Sequence, residues 1–147
     1  MEIVELTNMC MVYSGNRVVL QERVNGNWNG LAFPGGHVEK GESFTDSVIR
    51  EVFEETGLTI RHPKLCAVKD WPKKDGSRYI VLCYKTDEFS GTLKDSEEGK
   101  VCWVNIEDFP ILALASDMPE MLNMFLDDNI SEFYYYLQDG EYKYKIK

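Results

Sequence analysis

The stretch from Gly36 to Leu58, GHVEKGESFTDSVIREVFEETGL, constrains this chain more than any other. It holds five glutamates and an arginine at set intervals between two bounding glycines. Gly36 is followed by five residues, then Glu42, then seven residues, then Arg50-Glu51-Val52-Phe53-Glu54-Glu55-Thr56-Gly57-Leu58. A chance match to such a pattern has a probability on the order of 10⁻⁹ per start position. The pattern predicts a helix from about Ser43 to Thr56. Gly35-Gly36 is a breaker pair, and Gly41 lies in the loop ahead of the helix. Glu42, Ser43 and Asp46 put acid and capping groups where the positive end of the helix dipole favours them. Gly57 suits the C-terminal cap. Phe44, Val48 and Val52 recur every four residues and are expected to face a core. At about 100° per residue, Glu51, Glu54 and Glu55 fall within an arc of about 100°. Three carboxylates on one face repel each other, so the face suits a divalent cation. Oxygen ligands favour Mg²⁺, with Mn²⁺ as a substitute. Arg50 is adjacent to Glu51 and four residues before Glu54, so its fork can hold a carboxylate or form a plain helix ion pair. Glu42 is either a loop brace or a ligand.

This spacing resembles the Nudix box, and the chain is similar to Nudix hydrolases along its length. The resemblance implies metal-assisted attack of water on a diphosphate. It implies that Glu51, Glu54, Glu55 and the carbonyl of Gly36 are metal ligands and that Arg50 orients Glu51. Relatives often draw a further ligand or base from the loop that holds Glu97-Glu98-Gly99 here, with Glu98 favoured and Glu97 next. The implied fold is α/β, the Nudix fold: an α/β/α sandwich around a mixed β-sheet, in a single domain over residues 1–147.

The bulk numbers agree with one domain that has room for a core. No apolar run reaches the length of a membrane span. MEIVELTNMC has no basic leader, so a cytoplasmic enzyme, monomer or homodimer, is the expectation. The formal charge of −9 opposes binding to polymeric nucleic acid. It still allows a small nucleotide, because bound metal inverts the local field. Cys10, Cys66, Cys83 and Cys102 form no CxxC and read as reduced core residues. His37 falls at a variable position of the motif and reads as a loop residue.

Ile3 to Tyr13 and Arg17 to Val24 read as a hairpin around Ser14-Gly15-Asn16. Residues 25–30 read as a loop, and Leu31 to Glu39 as a short strand and turn. Leu58 to Trp71, Tyr79 to Thr86 and Val101 to Val104 are further strands, with Trp103 expected in the core. Residues 87–100 read as mostly polar loop. Met118, Met121, Leu122 and Phe125 have helical spacing. Asp139-Gly140 is a type I′ hairpin signal, after which Tyr142, Tyr144 and Ile146 alternate with charged residues, so that one face packs.

Substrate choice must come from outside the motif. Trp28-Asn29-Gly30 ahead of Phe33-Pro34-Gly35-Gly36 resembles the oxidised purine nucleoside triphosphatase branch of the family. There an asparagine after the tryptophan bonds the purine. Asn29 matches that position and offers both donor and acceptor, or it is a turn asparagine. Asp117 matches the loop that presents an acid to the base, or it is a helix N-cap. Arg23 is placed to reach a phosphate, or it is a surface arginine. The expected reaction is hydrolysis of a nucleoside triphosphate to monophosphate and pyrophosphate, with 8-oxo-dGTP favoured. The alternatives are a dinucleoside polyphosphate, ADP-ribose or nucleotide-sugar hydrolase, and a non-catalytic nucleotide-binding module.

Overall fold

A computed structural model describes residues 1–24 and 26–147. In chain order the elements are β1 (Val4–Ser14), β2 (Arg17–Arg23), β3 (Gly30–Ala32), α1 (Phe44–Thr56), β4 (Thr59–Ile60), β5 (Lys64–Pro72), β6 (Arg78–Thr86), β7 (Phe89–Ser90), β8 (Val101–Asn105), α2 (Met118–Leu126), β9 (Glu132–Gln138) and β10 (Glu141–Ile146), with a 3₁₀ helix at Ile106–Ile111. The expected loop over 25–30 begins at Asn25, which lies outside the described residues.

Most expected elements are present, with three differences. The strand expected over Leu58 to Trp71 is two strands, β4 and β5. They are separated by Arg61-His62-Pro63, where His62 takes a positive φ of 49°. The polar segment before β8 contains β7, which pairs with β4 as a separate two-stranded ladder. The 3₁₀ helix after β8 holds Pro110 and buries Phe109. The last hairpin turns as its sequence predicts, with φ 53° at Asp139 and 80° at Gly140.

The main sheet runs β10-β9-β5-β6-β1-β2-β3, with β8 also on β2. β1–β6 and β5–β9 are parallel and the other pairs antiparallel, so the sheet is mixed. β1 and β2 pair only next to their turn, at Tyr13↔Val18 and Ser14↔Arg17. Beyond that point β2 leaves β1 and pairs with β8 and β3. The backbone amides of β1 still need partners. The segment after β3 supplies them: Cys10 N–H donates to Pro34 O and Asn8 N–H to Gly36 O, while Val38 N–H donates to Leu6 O. The split in the sheet thus seats Gly35 and Gly36 against β1.

Alternation along β1 divides two cores. Met9 and Met11 join Phe33, Met121, Phe125 and Phe133 on the side of α2. Cys10 and Val12 join Val48, Val52, Leu58 and Ile60 on the side of α1. This is the α/β/α sandwich. The expected inward stripe of α1 holds at Val48 and Val52 but not at Phe44, which is 44% exposed. A spacing of four drifts about 40° per step on a helix, so two steps from Val52 carry Phe44 off the buried face. Cys10 and Cys83 are buried, Cys66 is half-buried, and Cys102 is exposed on β8, contrary to the reading of all four as core. Trp103 is half-buried against Phe89. Tyr142, Tyr144 and Ile146 stay about 40% exposed, although Tyr144 packs on Phe133 at 4.8 Å and Tyr142 donates to Pro72 O.

Candidate active site

The acidic face of α1 is organised by Arg50. Ser43 caps the helix, its Oγ accepting from the Asp46 amide at 3.0 Å, and Gly57 ends it with φ 79°. From this frame Arg50 donates through Nε to Glu42 at 2.7 Å and through Nη2 to Glu42 and to His37 O at 3.0 Å. Its Nη1 donates to Glu51 at 2.9 Å and to Glu54 at 3.1 Å. One guanidinium thus ties the loop, the first motif glutamate and two of the helix acids together. Glu42 also accepts from the Glu39 amide. In this arrangement Glu42 braces Arg50.

The glycine loop closes over the same face. Gly35 N–H donates to Glu55 Oε2 at 2.9 Å. The Asn8 side chain accepts from Gly36 N–H and donates to Ser47 of α1, so it joins β1, loop and helix. A side chain at Gly35 would overlap the Asn8 carbonyl, and one at Gly36 would overlap the Glu51 carboxylate. The Gly36 carbonyl, expected as a ligand, accepts from the Asn8 amide at 2.8 Å, which leaves it one free lone pair.

Burial pushes the Glu55 carboxyl up to about 7, against the pull of the Gly35 amide and the Arg23 charge. Glu51 is raised as well, by burial first, against the pull of Arg50 and with smaller repulsion from Glu54 and Glu98. Glu98 is exposed but close enough to act on both Glu51 and Glu55. Buried carboxylates that repel one another, all with oxygen donors, fit a hard divalent cation. Glu51 and Glu54 turn instead to Arg50, and among the described residues no three potential ligands converge on one point. Binding a cation therefore requires these side chains to reorient.

Next to Gly35 and Gly36 opens a cavity of about 650 Å³. Five aromatic residues line it: Trp28, Trp71, Tyr79, Tyr135 and Tyr142. Trp71 and Tyr79 stack at 4.4 Å with 12° between their planes. Trp28 is anchored by its indole N–H on Ser116 O at 2.9 Å. The 113–115 segment pairs with Leu31 of β3 through two backbone bonds, which carries Asp117 to the cavity rim. Arg23 stands between cavity and acids. Its Nη2 donates to Gly35 O at 3.3 Å, its guanidinium lies 5.7 Å from the Trp28 ring, and its buried Nε has no partner among the described residues. It is not a plain surface arginine.

Of the residues expected from the sequence, Arg50, Glu51, Glu54, Glu55 and Gly36 assemble around α1, with Glu98 nearby. Arg23 and Asp117 line the cavity. Asp117 has φ 68° and makes no side-chain cap; its carboxylate accepts from the Tyr135 hydroxyl. Asn29 is exposed and outside the cavity wall, which Asn27 and Trp28 line instead. The left-handed turn at Gly30, φ 114°, follows directly on Asn29, which favours the turn reading for that asparagine. Sequence reasoning passed over Asn8, Lys69, Trp71, Tyr79 and Tyr135. Lys69 had a signal: it interrupts the apolar alternation of β5 on the same face as Ala67 and Trp71.

The NUDIX domain family model matches residues 6–125. The Bacillus subtilis (strain 168) protein described as uncharacterized Nudix hydrolase YvcI is 34% identical over 122 residues, 80% of this chain and 76% of its own length. An ADP-ribose pyrophosphatase of Methanocaldococcus jannaschii is 31% identical over 106 residues, 70% of this chain and 63% of that protein. The crystal structure of a MutT protein from Bacillus halodurans superposes with a TM-score of 0.79 at 26% identity, covering 97% of each chain. A domain match over most of the chain, joined to a glutamate helix clamped by Arg50 under a glycine loop, leaves one assignment: this protein is a hydrolase of the Nudix family.

Proposed function

We propose that the enzyme hydrolyses a nucleoside triphosphate to its monophosphate and pyrophosphate, and that an oxidised purine nucleotide such as 8-oxo-dGTP is favoured. The observation that carries this reading is the placement of the aromatic cavity directly against Gly35-Gly36, with Arg23 between the cavity and the acids. A base held among Trp28, Trp71 and Tyr79 would direct its phosphates past Arg23 toward Glu51 and Glu55. The cavity suits one nucleotide, and the net charge of −9 disfavours a polymer.

Glu51, Glu54 and Glu55, with Glu98, would hold Mg²⁺, with Mn²⁺ as a substitute. When bound, the metal supplies charge neutralisation at the diphosphate and lowers the pKa of a water. Arg50 keeps Glu51 and Glu54 in register on the helix. Arg23 offers a guanidinium to the phosphates. Glu51 or Glu98 would take the proton of the attacking water.

A second reading, hydrolysis of ADP-ribose, draws on the name of the Methanocaldococcus jannaschii relative. One panel separates the two: 8-oxo-dGTP, dGTP, ADP-ribose and a diadenosine polyphosphate with Mg²⁺, reading pyrophosphate against other products. Pyrophosphate release with 8-oxo-dGTP as best substrate is expected. Preference for ADP-ribose over every triphosphate would overturn the reading. Glu54→Gln should lower turnover by at least about 100-fold, and near-full turnover would remove the metal assignment.

A further inference from the structure

Lys69 sits on β5 with only 8% of its surface exposed, at the wall of the cavity. Its ammonium is surrounded by rings: Trp28 and Tyr135 at 5.3 Å, Phe133 at 5.6 Å and Trp71 at 5.7 Å. Its one hydrogen-bond acceptor among the described residues is the Met121 sulfur at 3.4 Å, a weak one. Asp117 is near enough for its charge to act on Lys69, yet the two form no ion pair. The Asp117 carboxylate accepts from Tyr135 instead. A buried ammonium with two N–H groups unspent costs stability unless something accepts them. Burial accordingly pulls Lys69 below the usual lysine range.

We propose that Lys69 determines which base enters: its ammonium, with Asp117 beside it, reads the carbonyl and adjoining ring N–H of an oxopurine and turns away an aminopurine. The assignment rests on the nucleotide reading of this cavity. An oxopurine edge offers a carbonyl oxygen to Lys69 and a ring N–H to the remaining lone pairs of Asp117. An adenine edge offers the reverse, an amino N–H toward the ammonium and a bare ring nitrogen toward the carboxylate. Both contacts then fail together, and the site's own buried polar groups go unpaired. The aromatic rings supply stacking without distinguishing the two bases. Discrimination therefore falls to the two charged side chains.

The test compares ITP with ATP as substrates under Mg²⁺, and IMP with AMP as ligands by calorimetry. These pairs differ at the purine 6-position edge alone. The wild-type enzyme is expected to favour ITP over ATP in kcat/KM by about 100-fold or more, with IMP bound correspondingly tighter than AMP. Lys69→Met should bring both ratios to within about fivefold, chiefly by loss on the inosine side. Lys69→Arg keeps the charge and should retain part of the preference. Lys143→Met, on the exposed outer hairpin, should leave the ratios unchanged. Equal use of ITP and ATP by the wild type, or an unchanged ratio in a folded Lys69→Met protein, overturns the proposal. The wild-type IMP and AMP titrations need no variant to fold. If no triphosphate is cleaved yet IMP is preferred through Lys69, base selection stands and the triphosphate reading falls. If both triphosphates yield pyrophosphate equally, selection falls and that reading stands.

Discussion

The Gly35 amide donates to Glu55 Oε2 at 2.9 Å, so the most buried acid of the motif helix is held by the loop in front of that helix. Burial still wins over this bond, and the carboxyl rises to about 7. The folded state therefore holds the Glu55 proton more tightly than the unfolded chain, whose value is near 4.5. Its contribution to stability is full below about pH 4.5, falls as pH rises through 7, and stays low above. The difference amounts to about 3 kcal/mol at most. Thermal melts in EDTA at pH 5 and pH 8 should show the loss, and Glu55→Gln should show less of it. Mg²⁺ should stabilise the wild type more at pH 8 than at pH 5. Equal pH dependence in the two proteins would contradict the assignment.

Arg50→Lys should lower kcat by about 10–100-fold, the usual effect of losing a partner that orients metal ligands. A lysine cannot reach Glu42, Glu51, Glu54 and His37 O at once, as the guanidinium does. Since these pairs are partly exposed, the melting temperature should move little. Steady-state kinetics across a Mg²⁺ titration, together with a melt, measures both.

Gly35→Ala should cost about 1–3 kcal/mol, as forced overpacking does. The added methyl would enter the space of the Asn8 carbonyl, where β1 and the loop are in backbone contact. Urea unfolding should show a lower midpoint with an unchanged slope. A neutral result would mean that the loop does not lie against β1.

Trp28→Ala should raise KM by about tenfold or more, from the loss of one stacking ring worth about 1–3 kcal/mol. The carboxylates of α1 do not touch Trp28, so kcat should fall far less than kcat/KM. A matched loss in both would place Trp28 in the chemistry instead.

The acidic cluster on α1 was legible because it is local. Ser43, Arg50, Glu51, Glu54, Glu55 and Gly57 sit on one helix, where a period of 3.6 turns spacing into geometry. The cavity wall is assembled from β1, β2, β5, β6, β9, β10 and three loops, and no spacing along the chain encodes which of their side chains meet. Asn29 shows the limit: the residue expected at the wall is exposed beside the turn at Gly30, and Asn27 and Trp28 line the wall instead. Asp117 comes to the rim because the 113–115 segment adds to β3. That pairing is between distant parts of the chain and leaves no periodic signal. Phe44 and Cys102 were misplaced for a simpler reason, since apolar character alone does not say which face of an element is covered.

Alternate side chains of β1 serve two different layers. Met9 packs toward the cavity, while the side chain of the next-door Asn8 reaches its edge and also holds the loop and helix that carry the acids. None of the bonds that hold Arg50 and Glu55 in place comes from the cavity residues of β5 or β9. On the proposed function, a descendant of this chain could change its substrate through β5, β9 and the loop before α2 while the acidic helix stays as it is.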